Sequence, residues 1–155
     1  MDSETQDGPF LIYHDNGKLS DKGTFRNGVL DGPFVRFYEN GQLSQEGTYK
    51  DGNLDGPFEL YYDNGQLWEK GFYKNGKRDG TIEVYHKNGQ LLEKEFYKDG
   101  ERWDGPFESY HDNGQLWEKG FYKNGKLDGT IEVYHKNGQL ERKEIFIDGE
   151  FMRIL

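Results

Sequence analysis

Asp-Gly recurs at 7, 31, 55, 79, 104 and 128, a step of 24 residues with a single 25, and this period constrains the chain more than any other feature. Numbering each repeat from its Asp as r1 to r24, the pattern reads D-G-(P/T)-(F/I)-x-x-(Y/F)-x-x-N-G-x-L-x-x-x-(G/E)-x-(Y/F)-x-(N/D)-G-x-x, six times over. All 22 glycines fall at r2, r11, r17 or r22, all four prolines at r3 and all four histidines at r8. The repeats run 7–30, 31–54, 55–78, 79–103, 104–127 and 128–151, between an N-terminal tail (1–6) and a C-terminal tail (152–155). The extra residue falls in Glu101-Arg102-Trp103, and repeats 4 and 6 share the run DGTIEVYHKNGQL, as if a pair of repeats had been copied.

The period also sets the local structure. Asn-Gly or Asp-Gly stands at r10–r11 and r21–r22 of every repeat, and such dipeptides favour tight turns between strands because glycine takes positive φ without strain. Two turns per repeat give two strands per repeat, so about twelve short strands are expected in an all-β, single-layer antiparallel meander of hairpins. The intervening stretches are rich in Tyr, Phe and Ile and lack a 3.6-residue period, which removes a helical reading. A three-residue loop at r9–r11 pairs r7 with r13, placing Tyr61 against Leu67 and Tyr110 against Leu116. Period two would put the r19 aromatics Tyr73 and Tyr122 on that same face. Glycine at r17 leaves room for a neighbouring ring. Residues at r4 (Phe10, Phe34, Phe58, Ile82, Phe107, Ile131) have the opposite parity to r7, so either a bulge intervenes or they pack the other face.

Composition alone points elsewhere: 32% hydrophobic and 32% charged residues, net charge −9 and a mean hydropathy of −1.07 resemble a disordered chain. Eleven Tyr, eleven Phe and three Trp oppose that reading. One repeat offers about four large apolar side chains at roughly 1.5–3 kcal/mol each, well short of the entropy of ordering about 24 residues at roughly 1–2 kcal/mol each. Only stacking of repeats into a β-ribbon closes that gap.

Several chemistries are excluded. Without cysteine there is no disulfide, thiolate site or cysteine nucleophile. No apolar run is long enough to span a bilayer and the first residues show no leader pattern, so a cytoplasmic location is expected. The acidic balance disfavours nucleic acid and makes a membrane surface unlikely as a partner. Histidines one repeat apart stand roughly 9.6 Å apart on strand spacing, too far to share a zinc ion. Asp51, Asn53 and Asp55 mimic the start of a calcium loop, but Tyr62 stands where the closing Glu is needed. No repeat carries a reactive departure from the pattern, and Ser3, Ser20, Ser44 and Ser109 lie in no nucleophile motif. No cofactor, metal or catalytic residue is therefore assigned.

Departures from the period point to binding. At r14, Trp68 and Trp117 alternate with Ser, Leu and Glu, and Trp103 occupies the insertion; aromatic anchors of this kind are enriched in interfaces. Tyr62, His86 and His111 at r8 join them, and Glu59, Glu83, Glu108 and Glu132 at r5 form a same-sign row suited to a basic partner. The apolar stretch Ile145-Phe146-Ile147 with Phe151 to Leu155 is expected to cap the ribbon or to form a homodimer through the end strand.

The segment FYKNGKLDGTIEVYHKNGQL (Phe121 to Leu140), with its joint spacing of G-x-(Y/F)-x-N-G-x-x-D-G and Y-x-x-N-G-x-L, resembles the consensus of MORN-repeat proteins. It is similar in particular to the bacterial MORN-repeat variant of YwqK-type antitoxins. The resemblance implies a hairpin array that binds another protein, in an antitoxin, immunity or scaffold role, without cofactor and without enzymatic activity. Two other readings remain: a glycan- or cell-wall-binding repeat, and a membrane-lipid-attachment module.

Overall fold

The computed structural model describes residues 7–155, so the tail expected over 1–6 lies outside the described residues. They divide into two compact units, up to Lys77 and from Arg78 onward. The first unit holds β1 (Gly8–Tyr13), β2 (Leu19–Arg26), β3 (Val29–Leu30), β4 (Gly32–Phe37), β5 (Leu43–Lys50), β6 (Asn53–Tyr61) and β7 (Leu67–Lys74). The short β8 (Lys77–Arg78) falls at the division. The second unit holds β9 (Gly80–Tyr85), β10 (Leu91–Lys98), β11 (Glu101–Arg102), β12 (Gly105–Tyr110), β13 (Leu116–Lys123), β14 (Lys126–Leu127), β15 (Gly129–Tyr134), β16 (Leu140–Ile147) and β17 (Glu150–Ile154). Within each unit, chain neighbours pair antiparallel in a meander.

Among the described residues seventeen strands appear where about twelve were expected. Ahead of most repeats the incoming strand is interrupted just before the r2 glycine, leaving the two-residue pieces β3, β8, β11 and β14. In repeat 3 the strand runs through unbroken as β6. The last strand, β17, occupies most of the segment expected to be a C-terminal tail, and it pairs with β16.

Both turns take the forms that their sequences specify. At r21–r22 the two residues have left-handed φ, as in Asn75 (49°) and Gly76 (77°), which is the two-residue type I′ geometry. At r8–r12 the Tyr62 N–H donates to the Gln66 carbonyl and the Gly65 N–H to the Tyr62 carbonyl, closing a three-residue loop with glycine at φ 83°. Accordingly r7 pairs with r13 in all six repeats, Tyr61 with Leu67 and Tyr110 with Leu116 among them.

The parity question is settled by a bulge. In repeat 3, Tyr61 pairs with Leu67 but Leu60 pairs with Glu69, so Trp68 is an extra residue; the same shift recurs at r14 of every repeat. The bulge reverses the alternation beyond it. Residues at r19 therefore share a face with r4, which corrects the expectation that they lie with r7. Their rings meet: Phe10–Phe25, Phe34–Tyr49, Phe58–Tyr73 and Phe107–Tyr122 have centroids 4.7, 5.5, 5.1 and 4.9 Å apart.

This face carries the core. Phe34 and Phe58 are buried in the first unit, and Ile82, Phe107, Ile131 and Val133 in the second. Opposite r4 stands r17, and in four repeats it is glycine because the ring lies over it. A Cβ on Gly120 would come 2.8 Å from Phe107 Cε1 and closer still to Ile131 Cδ1.

Candidate interaction surface

Most polar residues that recur with the period are engaged in holding the array together. The r10 Asn oxygen accepts the r12 N–H in every repeat, and the amides of Asn16, Asn40, Asn88 and Asn113 donate to the r9 carbonyl of the following repeat, Asn113 to Lys136 at 2.7 Å. The r1 Asp accepts backbone N–H groups from the r21–r22 turn of its own repeat; Asp7 takes those of Asn27 and Gly28 at 2.8 and 3.0 Å. These two bonds hold the Asp7 carboxyl below its usual range.

The histidines have the same kind of task. Nε2 of His14, His86 and His111 donates to the r7 carbonyl of the next repeat, at Phe37, Tyr110 and Tyr134, over 2.9, 3.0 and 2.9 Å. Tyr38 makes the equivalent bond to Tyr61 through its hydroxyl at 2.6 Å. Among the described residues, no group of three or more His, Cys, Asp or Glu is placed to hold a metal ion.

The Glu row also has partners. Register sets r5 opposite r16, which is Lys in most repeats: Glu59 faces Lys70, Glu83 faces Lys94, Glu108 faces Lys119 and Glu132 faces Lys143. Lys94 reaches Glu83 at 3.0 Å, while Glu132 is met by Lys119 at 3.0 Å and Lys143 at 2.6 Å. Tyr85, Tyr110 and Tyr134 donate their hydroxyls to Glu83, Glu108 and Glu132, and Tyr61 donates to Glu59. Chiefly through the Lys143 bond, Glu132 is held down to about 2; the bond to Glu108 and partial burial push Tyr110 up to about 12. The row is thus interleaved with cations and does not form a free acidic stripe.

The tryptophans separate into two places. The r14 bulge lifts Trp68 beside Tyr62 (centroids 5.8 Å apart, planes 32° apart) and Trp117 beside His111 (5.9 Å, 33°), each along the r8–r12 turn edge. In the second unit His86, Leu92, Tyr110, His111 and Trp117, together with the Asp112–Lys136 ion pair, line a shallow recess of about 400 Å³ on that edge. Trp103 lies at the opposite turns, beside Lys98, Asp99 and Asn124. Its N–H donates to the Phe96 carbonyl where the next Asp does so in other repeats, as Asp31 does to Thr24, so the insertion displaces Asp104 by one place.

One exposed set escaped the sequence reading. Phe96 and Phe121 at r18 stand on the face opposite the core, near Pro106, and Phe72 is similarly exposed in the first unit. Their signal was the r3–r18 register across the hairpin, legible only once the bulge is known.

The family description of the MORN repeat variant matches six windows, 6–27, 30–51, 54–75, 78–99, 103–124 and 127–148, with the longer step in the same place. The chain belongs to the MORN repeat variant family. No curated protein gives a significant match to it. MORN repeats serve as modules for protein or membrane interaction and are generally non-catalytic. No helix among the described residues of this MORN array is long and apolar enough to cross a membrane.

Proposed function

We propose that this MORN array is a non-enzymatic module that binds another protein through its r8–r14 turn edge, in an antitoxin, immunity or scaffold role. One observation carries the reading. On the r8–r14 edge of each unit, where periodic histidines and asparagines are committed to neighbouring repeats, one tryptophan breaks the period, Trp68 in the first and Trp117 in the second, and these stay 42% and 43% exposed, each beside an r8 ring. Large aromatics held in place yet open to solvent are the residues that anchor protein interfaces. The net charge of −9 favours a basic partner, such as a toxin or effector, and a cytoplasmic location is part of the same proposal. A homodimer through β17 belongs to the same proposal, since Phe151, Met152 and Ile154 are more than half exposed.

The test compares affinity capture by the native protein with capture by the Trp68→Ala/Trp117→Ala protein. A partner held by the first is expected to be lost from the second, with far-UV circular dichroism unchanged. Retention of the same partner by both would refute the assignment.

A further inference from the structure

We propose that the r8–r14 edge of the second unit receives a proline-rich segment in the polyproline II conformation. The inference rests on the reading of this edge as a protein-binding surface and specifies what kind of chain it takes.

The first argument is periodic. Successive repeats are two strands apart, roughly 9.6 Å. A polyproline II helix rises about 3.1 Å per residue with three residues per turn, so it presents the same face every ~9.3 Å. An extended β-strand laid along the edge cannot match this, because its side chains alternate and every third residue points away. A polyproline II segment running across the hairpins meets the His86–Leu92 and His111–Trp117 positions with equivalent residues.

The second argument concerns polar groups. The His86 and His111 N–H groups donate to Gln90 and Gln115, and their ring Nε2 atoms donate to Tyr110 and Tyr134. Asp112 is tied to Lys136 at 2.6 Å. The recess therefore presents no open backbone ladder for an added strand and no unmatched charge for an ionic ligand. It suits an uncharged chain whose prolines lack N–H groups.

The third argument is the ring geometry. Trp117 and His111 pack side by side as a tilted pair and, with Leu92 and Tyr110, line a recess of the aromatic-lined type that accepts proline rings. The Trp117 indole stays accessible, the residue being 43% exposed, and polyproline II carbonyls have no internal donors. That indole supplies the one directional bond the recess needs.

The experiment follows the indole resonances of the 15N-labelled full chain by NMR during titration with an oligoproline peptide of about ten residues. Saturable movement of the Trp117 resonance is expected, with Trp103 on the far edge unmoved. Trp117→Ala should weaken binding about tenfold or more, and Trp117→Phe, which keeps a ring but not the donor, by an intermediate factor. A Thr-Val peptide of equal length should leave Trp117 still. The proposal is overturned if oligoproline leaves Trp117 unmoved, if Trp103 moves equally, if Trp117→Ala binds as the native protein does, or if a chito-oligosaccharide moves Trp117 where oligoproline does not. Loss of a captured protein partner in the Trp68→Ala/Trp117→Ala protein, together with no oligoproline binding, would remove the polyproline II assignment while sparing the protein-binding reading.

Discussion

Repeats 1, 2, 3 and 5 fill the r4–r17 cross-strand pair with Phe over Gly, whereas repeats 4 and 6 fill it with Ile against Glu. In the first group the ring occupies the space above the glycine and meets the r19 ring, so packing alone satisfies the pair. In the second group Ile82 and Ile131 are only 2% exposed, and the carboxylates beside them need cations. Arg102 reaches Glu95 at 2.9 Å and Arg142 reaches Glu144 at 2.7 Å, while the Tyr97 hydroxyl also donates to Glu95 at 2.8 Å. The same backbone register thus supports an apolar and an ionic solution, and each is consistent only with its own partner. A buried polar pair holds when it is fully matched and costs stability when half is removed.

This contrast can be broken most severely at Gly120. Gly120→Ala places a methyl against Phe107 and Ile131 and is expected to cost about 2–3 kcal/mol in urea unfolding, as overpacking does. A loss below about 0.5 kcal/mol, the size of an ordinary surface change, would show that the ring does not need the glycine. A smaller effect is expected at the ionic pair: Arg102→Ala leaves Glu95, 9% exposed, without its cation and should cost about 1–2 kcal/mol, reduced because the arginine itself is 40% exposed. Raising salt should lower that cost only slightly if the pair is as enclosed as its geometry shows.

The smallest effect sharpens the comparison through pH. Burial first, and then the negative charge of Glu144, raise the Glu118 carboxyl above its usual value of 4.5. A carboxyl raised in the folded state contributes stability in full below the unfolded value, and that contribution disappears as pH rises through the folded value. Glu118→Gln should therefore match the native protein near pH 4 and become the more stable of the two toward pH 7, as read by urea midpoints across that range. Glu132 runs the opposite way: its contribution is present above 4.5 and is lost as pH falls toward about 2. Glu132→Gln should therefore lose its disadvantage only in strong acid.

Much of the fold was legible because its determinants are periodic. The Asn-Gly and Asp-Gly dipeptides gave the place of both turns, and the three-residue loop at r9–r11 gave the r7–r13 pairing. The r14 bulge was hidden, since its residue varies among Ser, Trp, Leu and Glu and no glycine marks it. Without it the r19 rings were placed on the wrong face and the Glu row was read without the lysines opposite. A usable signal was nevertheless present, because Phe at r4 always accompanies Gly at r17 and Ile always accompanies Glu. At the candidate site, Trp68 and Trp117 were visible as breaks in a pattern. That Trp103 sits at the other turns depends on which backbone group takes the displaced Asp's place, which spacing alone does not reveal.

The central claim is that the bulged register sets r4 opposite r17, and so fixes both the core face and the edge on which the tryptophans stand. A double-mutant cycle at Ile82 and Glu95 tests it most directly. Ile82→Phe alone should overpack against the carboxylate, and Glu95→Gly alone should strip the pair and strand Arg102, at about 1–3 kcal/mol each. The double variant recreates the Phe-over-Gly pair of the other repeats and should be more stable than the sum of the single losses by about 1–2 kcal/mol. Losses that simply add, within about 0.5 kcal/mol, would contradict the register on which the account rests.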